Sequence, residues 1–208
     1  MTEPDALEQM LRAPLALAPL PDLTERAASA GLLDVAYATL DSPLGALLLA
    51  STPRGLVRIA YLDDAGGEAA VLEDLATKVS PRVLAGASRL DEPRHELDQY
   101  FAGRRRQFGL RLDWALARGF ARRVLEATAR IPYGSVSSYK AIAAAAGSPR
   151  GFRAAGNALG ANPLPIVVPC HRVLHASGGL GGYTGGLERK RTLLAVERRP
   201  PEPSDGTP

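Results

Sequence analysis

"SSYKAIAAAAGSPRGFRAAGNALG", residues 137–160, decides how the C-terminal half of this chain is built. Two serines suited to capping open an alanine-rich run that stops at Gly147. Ser148 then offers a second cap, and Pro149 suits a first helical position. Two short helices joined by a tight turn are the outline of a helix-turn-helix. The second helix carries Ala154, Ala155, Gly156 and Ala158, so its backbone can press close to a surface, with Arg153 projecting from a nearly bare face. Close helix packing, with Arg153 in an ordinary salt bridge, fits the same residues.

Outward from this pair, "GFARRVLEATARI" (119–131) repeats Phe120, Val124, Ala127 and Ile131 at helical spacing. "GLERKRTLLAVERR" (186–199) reads as a last helix with Leu187, Leu193, Leu194 and Val196 as its apolar set. Upstream the pattern changes. "VAYATL" (35–40), "GALLLA" (45–50) and "GLVRIAYL" (55–62) are β-prone runs split by turns, an antiparallel meander. Residues 67–79 and 92–103 read as helices, and "FGLRLDW" (108–114) as a further strand. The expected organisation is an N-terminal extension over 1–33, helical or partly disordered, a small α/β domain over 34–113, a helical domain over 114–199 and a disordered tail over 200–208. In the extension, 4–11 and 22–31 read as short helices.

The 208 residues are 46% hydrophobic and 23% charged, as in soluble globular proteins. The N-terminus lacks a signal-peptide pattern, and no apolar run nears the ~20 residues that span a bilayer. One cysteine excludes an internal disulfide, so the expectation is a cytoplasmic protein. The net charge of +3 hides an asymmetry: residues 1–114 hold 12 Lys+Arg against 17 Asp+Glu, and residues 115–199 hold 13 against 3. A basic half suits a polyanion, though an arginine-rich solvated surface looks the same.

That single cysteine, Cys170, stands in "PLPIVVPCHRV" (163–173). Pro163, Pro165 and Pro169 stiffen its approach. His171 can take the thiol proton, and neighbouring basic residues favour a thiolate, so the cysteine is expected to be ionised more readily than a free one. Glu197, a lone acid in a basic helix, can orient His171 as the acid of a catalytic triad does. One cysteine and three scattered histidines make no zinc set, and no metal or cofactor is implied.

"PCHRV", with "NPLPIVV" before it and "GGYTGGLERKRTLLAVE" after it, resembles the methylated-DNA–protein-cysteine methyltransferases, direct-reversal repair proteins for 6-O-alkylguanine. Residues 130–163 are similar to that family's DNA-binding segment, and "DSPLGALLLASTPRGLVRIAYL" to its first strands. The resemblance implies an α/β, ribonuclease H-like N-terminal domain and a mostly helical, winged-helix-like C-terminal domain. It implies a single-turnover transfer of an alkyl group from 6-O-methylguanine, and 4-O-methylthymine, to Cys170. The partner is double-stranded DNA carrying alkylated bases, met by a monomer away from any membrane. His171 and Glu197 match the activating pair, and Tyr139 the proton donor to the departing base. Asn162 matches the hinge asparagine and Arg153 the residue that replaces the flipped nucleotide. Ser138, Ala154 and Gly156 fall in the DNA-facing surface. Pro165, Val173, Tyr183, Thr184 and Lys190 fall around the base pocket. "RVL" (123–125) and "LGAN" (159–162) depart from the family pattern, and residues 1–33 match nothing in it. A cysteine hydrolase and a helix-turn-helix regulator without chemistry remain as alternatives.

Overall fold

The structure, a computed structural model, describes Arg26, Ala27 and residues 30–86 and 88–198. The run 4–11 and the tail 200–208 lie outside the described residues, and so does most of 22–31.

Three strands, β1 (Val35–Leu40), β2 (Leu47–Thr52) and β3 (Gly55–Tyr61), form the expected antiparallel meander. Helix α1 (Glu68–Lys78) then carries the chain across to β4 (Val83–Ala85), which pairs in parallel with β1 and completes a sheet of order β3-β2-β1-β4. β4 is too short for its periodicity to show in the sequence. β2 is central and buried along its whole length, which explains a leucine run with no polar alternation. Leu48 and Ala50 face α1 through Val71 and Leu75. Leu47 and Leu49 face the other way, toward α2 (Asp91–Phe101) with its Leu97 and Tyr100.

That second cluster does not stop at the α/β unit. It continues through α3 (Gly119–Ala129), α4 (Tyr139–Ala145), α5 (Phe152–Gly160) and α6 (Gly186–Arg198), by way of Val124, Leu125, Ile142, Leu159 and Leu193. Each fully buried leucine adds about 1.5–3 kcal/mol. The sheet and the helical part therefore share one core.

The structure corrects three expectations. "FGLRLDW" is no strand; it makes one bridge, Leu56 with Leu112, and ends at a side-chain turn. There the buried carboxylate of Asp113 accepts from Thr52 Oγ1 at 2.6 Å, Arg54 Nε at 3.0 Å and the Ala115 amide at 3.0 Å, which pulls the backbone out of any ladder. The second helix of the pair begins at Phe152, not Pro149. Ser148 serves the helix before it instead: its amide donates to the Ala143 carbonyl and that of Gly147 to Ala144, the C-terminal motif that a left-handed glycine permits. Leu187 is 42% exposed, and α6 buries Lys190, Leu193, Val196 and Glu197. Two charged side chains inside a helix defeat an apolar-stripe reading. Ser138 caps α4 as expected, its Oγ accepting from the Ala141 amide.

Gly55 starts β3 at φ +137°, and a Cβ there would collide with the Arg111 carbonyl, which accepts the Leu56 amide at 2.8 Å. Gly55→Ala should destabilise the fold by about 1–3 kcal/mol. A lower urea midpoint at unchanged slope checks this.

Candidate active site

The chain reaches Cys170 through a turn that leaves little freedom. Asn162, just past α5, accepts the Leu164 amide at Oδ1 (3.0 Å), while its Nδ2 donates to the Val168 carbonyl (2.9 Å) and to Cys170 Sγ (3.2 Å). Between these ties Ile166 adopts φ 74°, unusual for a β-branched residue and held by the amides of Val167 and Val168 bonding back to Pro165 and Leu164. Cys170 then opens a 3-10 turn, Cys170–Arg172, and β6 (Val173–Leu174) follows, paired with β5 (Ser137–Ser138) in a two-stranded ribbon too short to read from sequence.

Behind the thiol lies a buried polar cluster. His171 Nε2 lies 2.8 Å from Glu197 Oε1. The same oxygen accepts from Tyr100 Oη at 2.8 Å and Arg172 Nη2 at 2.8 Å. Oε2 accepts from Arg172 Nε at 3.0 Å and the Gly134 amide at 3.1 Å. Burial pushes the Glu197 carboxyl up, but the hydrogen bonds of His171 and Arg172, with the charge of Arg172, outweigh it and hold it at about 2. Burial lowers the His171 imidazole against the pull of Glu197, so the ring rests neutral. Its other nitrogen, Nδ1, is buried without a hydrogen-bond partner among the described residues. Burial pushes the Cys170 thiol up to about 11, although Asn162 and Lys190 draw it down. The expectation of a readily ionised cysteine is therefore overturned: at 4% exposure, desolvation outweighs the basic neighbours.

A cavity of about 460 Å³ opens above the sulfur. Cys170 lies in its lining with Tyr139, Arg153, Gly156, Tyr183 and Thr184, residues spread over α4, α5 and the glycine-rich loop. Tyr183 stands edge-on to His171 and shares a 2.8 Å hydrogen bond with Tyr61 of β3. Thr184 Oγ1 donates to the Gly160 carbonyl at 2.7 Å. Lys190, fully buried, pins the loop: its Nζ donates to the carbonyls of Val173 (2.7 Å), Leu180 and Gly182 (3.4 Å). Burial brings its ammonium down to about 8, with Cys170 acting the other way. At Gly181, φ +66°, a Cβ would strike the Tyr139 hydroxyl, so loop and tyrosine fit only with glycine there.

Pro165, Val173 and Lys190 do not line the cavity. All three are buried: the Pro165 carbonyl accepts the Val167 amide within the turn, and Lys190 ties the loop to the Val173 carbonyl. Ala154 is exposed on α5 beside Arg153, and Ser138 acts as a helix cap. Sequence reasoning missed Tyr100 and Arg172 in the polar cluster, and Phe152 and His175 at the cavity. Phe152 is 48% exposed next to Arg153, and the His175 ring lies 5.2 Å from that of Tyr139. Arg172 had a signal, standing two residues from Cys170, whereas Tyr100 had none.

What the geometry defines is a cysteine-lined cavity on a helix-turn-helix, a layout shared with DNA-binding proteins. Comparison narrows this. Residues 35–114 match the ribonuclease-like domain of 6-O-methylguanine DNA methyltransferase, and residues 119–199 its DNA-binding domain. The methylated-DNA–protein-cysteine methyltransferase of Mycolicibacterium paratuberculosis is 45% identical over 169 residues, 79% of this chain and 93% of the relative. The constitutive enzyme of Bacillus subtilis is 38% identical over 164 residues, 78% and 94%. A crystal structure of Mycobacterium tuberculosis OGT in complex with DNA superposes with a TM-score of 0.67 at 38% identity, covering 78% of this chain and 93% of that one. This chain belongs to the 6-O-methylguanine DNA methyltransferase family.

Because folding lowers the Glu197 pKa from 4.5, its contribution to stability is complete above that value and is lost as pH falls toward about 2. Glu197→Gln should cost about 3–5 kcal/mol at neutral pH, Arg172 losing its buried counter-charge. It should also flatten the acid limb of the stability curve. Denaturation midpoints measured from pH 7 downward check both effects.

Proposed function

We propose that this protein repairs DNA by direct reversal, taking the alkyl group of 6-O-methylguanine onto Cys170 once and irreversibly. The observation that carries this reading is a cavity whose wall joins Cys170 to the Arg153-bearing helix α5. An alkyl group on the guanine 6-oxygen is unreachable inside a duplex, so the nucleotide must be swung out at a cost of a few kcal/mol. Arg153, exposed on a small-sided helix, fills the vacated place in the stack. Small faces suit the minor groove, whose degenerate readout lets the protein act in any sequence. The basic half supplies phosphate contacts.

In the cavity the thiol proton passes, through a bridging water, to the free Nδ1 of His171, whose positive charge Glu197 then balances. The thiolate attacks the alkyl carbon; the C–S bond forms as the C–O bond breaks, and the electron pair leaves on the guanine oxygen. The Tyr139 hydroxyl donates a proton to the departing base. Asn162 steadies the sulfur, Tyr183 and Thr184 bound the base, and Lys190 holds their loop. The product is a thioether, which nothing in the site can hydrolyse. The same reading extends to 4-O-methylthymine, and to a monomer at work in the cytoplasm. Among the described residues no helix is long and apolar enough to cross a membrane, and no His/Cys/Asp/Glu cluster could hold a metal.

Excess methylated oligonucleotide should add one methyl group per chain, on Cys170, and then stop. Intact-protein mass and peptide mapping read this directly; sustained turnover or a methyl elsewhere overturns the mechanism. Cys170→Ala should still bind the oligonucleotide.

Arg153 should matter only where a base must leave a duplex. Arg153→Ala should react nearly normally with free 6-O-benzylguanine and lose about ten- to hundred-fold in rate on duplex DNA, at ~1.4 kcal/mol per factor of ten. Equal losses on both substrates would assign Arg153 to the fold instead.

A further inference from the structure

We infer that Tyr100, on α2 of the N-terminal part, is a positioning residue for the acceptor cysteine, acting through Glu197 on His171. The inference rests on the alkyl-transfer reading of Cys170 and adds a residue that the cysteine's own half of the chain does not contain.

Glu197 Oε1 is approached by three residues: His171 Nε2 at 2.8 Å, Tyr100 Oη at 2.8 Å and Arg172, through Nη2 at 2.8 Å and Nε at 3.1 Å. Arg172 also grips Oε2 through Nε at 3.0 Å and spends Nη1 on the Ile131 carbonyl at 2.6 Å. A forked guanidinium competes for the whole carboxylate, because it satisfies both oxygens at once. His171 has one bond to offer. Tyr100 approaches the oxygen that His171 needs from a different element, and it holds that oxygen in the line of Nε2. With Nε2 as donor, Nδ1 is left as the basic nitrogen, and it is the one with no partner among the described residues. Tyr100 thereby fixes the tautomer that can take a thiol proton.

The hydroxyl is suited to this work. Tyr100 is fully buried, with its ring packed against Phe101, Phe108 and Tyr133 at 5.3–6.2 Å. Burial first, and then the charge of Glu197, raise its pKa, so it stays a donor throughout the working range. The other ionisable groups around the carboxylate are His171, Arg172 and Tyr133, with Arg106 5.6 Å from the centre of the Tyr133 ring.

Tyr100→Phe removes one hydroxyl and keeps the ring. Methyl transfer from a methylated oligonucleotide should slow about ten-fold at neutral pH. Alkylation of Cys170 by iodoacetamide should slow similarly, with the deficit shrinking in alkaline buffer, where hydroxide replaces the imidazole. In a Glu197→Gln background the same substitution should have almost no further effect, since its route to His171 is already cut. Tyr133→Phe, in the same aromatic cluster, should leave the pH profile unchanged. A ten-fold loss in both backgrounds, or a lower melting temperature with an unmoved pH profile, would reduce Tyr100 to a packing residue. A second measurement needs no substitution. With three histidines in the chain, nitrogen NMR of the wild-type protein can read the His171 ring. The Nε2–H tautomer is expected, and an Nδ1–H tautomer overturns the inference even if Tyr100→Phe does not fold. The iodoacetamide and NMR readings need no DNA, so a failure of the repair reading itself would appear separately, as wild-type protein that accepts no methyl group.

Discussion

The carboxylate of Glu197 is the point on which the two halves of this protein close. A charge removed from water is tolerable only when its oxygens are fully used. Here they are used by groups from three places, α2 through Tyr100, the His171 and Arg172 turn and the amide of Gly134, while the carboxylate itself stands on helix α6. None of these lies near another in sequence except His171 and Arg172. The cluster can be satisfied only when sheet domain, cysteine turn and last helix are all in place. Folding and the assembly of the site are one event at this position.

Two further ties work in the same direction. Arg189 on α6 reaches back to the Leu44 carbonyl and to Asp63 and Asp64, with its guanidinium 4.5 Å above the Tyr61 ring. Tyr61 in turn meets Tyr183. The cavity wall at Tyr183 is therefore set by a strand of the other half, while Lys190 fastens the loop below it by three carbonyls. The glycine-rich loop needs glycine for its backbone, yet it is held by a buried cation that spends its donors on that loop's own carbonyls and on Val173.

What could be read from the sequence was local. The leucine run of β2, the serine cap of α4 and the spacing of α3 depend on neighbours a few residues away, and each was legible. Cys170, His171 and Arg153 stood out because their surroundings in the chain are peculiar. The rest depended on distance. Tyr100 precedes Glu197 by 97 residues, and nothing in "ELDQYFAG" marks its hydroxyl for a carboxylate. The start of α5 was misplaced because Ser148 can close one helix or open the next, and only the fold chooses. The acidity of Cys170 was misjudged because charge can be counted along a chain, whereas burial cannot. Lys190 and Glu197 inside α6 hid its true inner face for the same reason.

The burial of Cys170 also bears on how such a molecule keeps. With burial holding the thiol well above its usual range, little thiolate is present at neutral pH. Peroxides and stray electrophiles consume thiolates, and the ladder from sulfenic to sulfonic acid would spend the sulfur as surely as a methyl group does. Under the proposed single transfer, a wasted encounter has no recovery. The buried, protonated resting state therefore works as a safety catch, holding the sulfur in its unreactive form until a base occupies the cavity and His171 takes the proton.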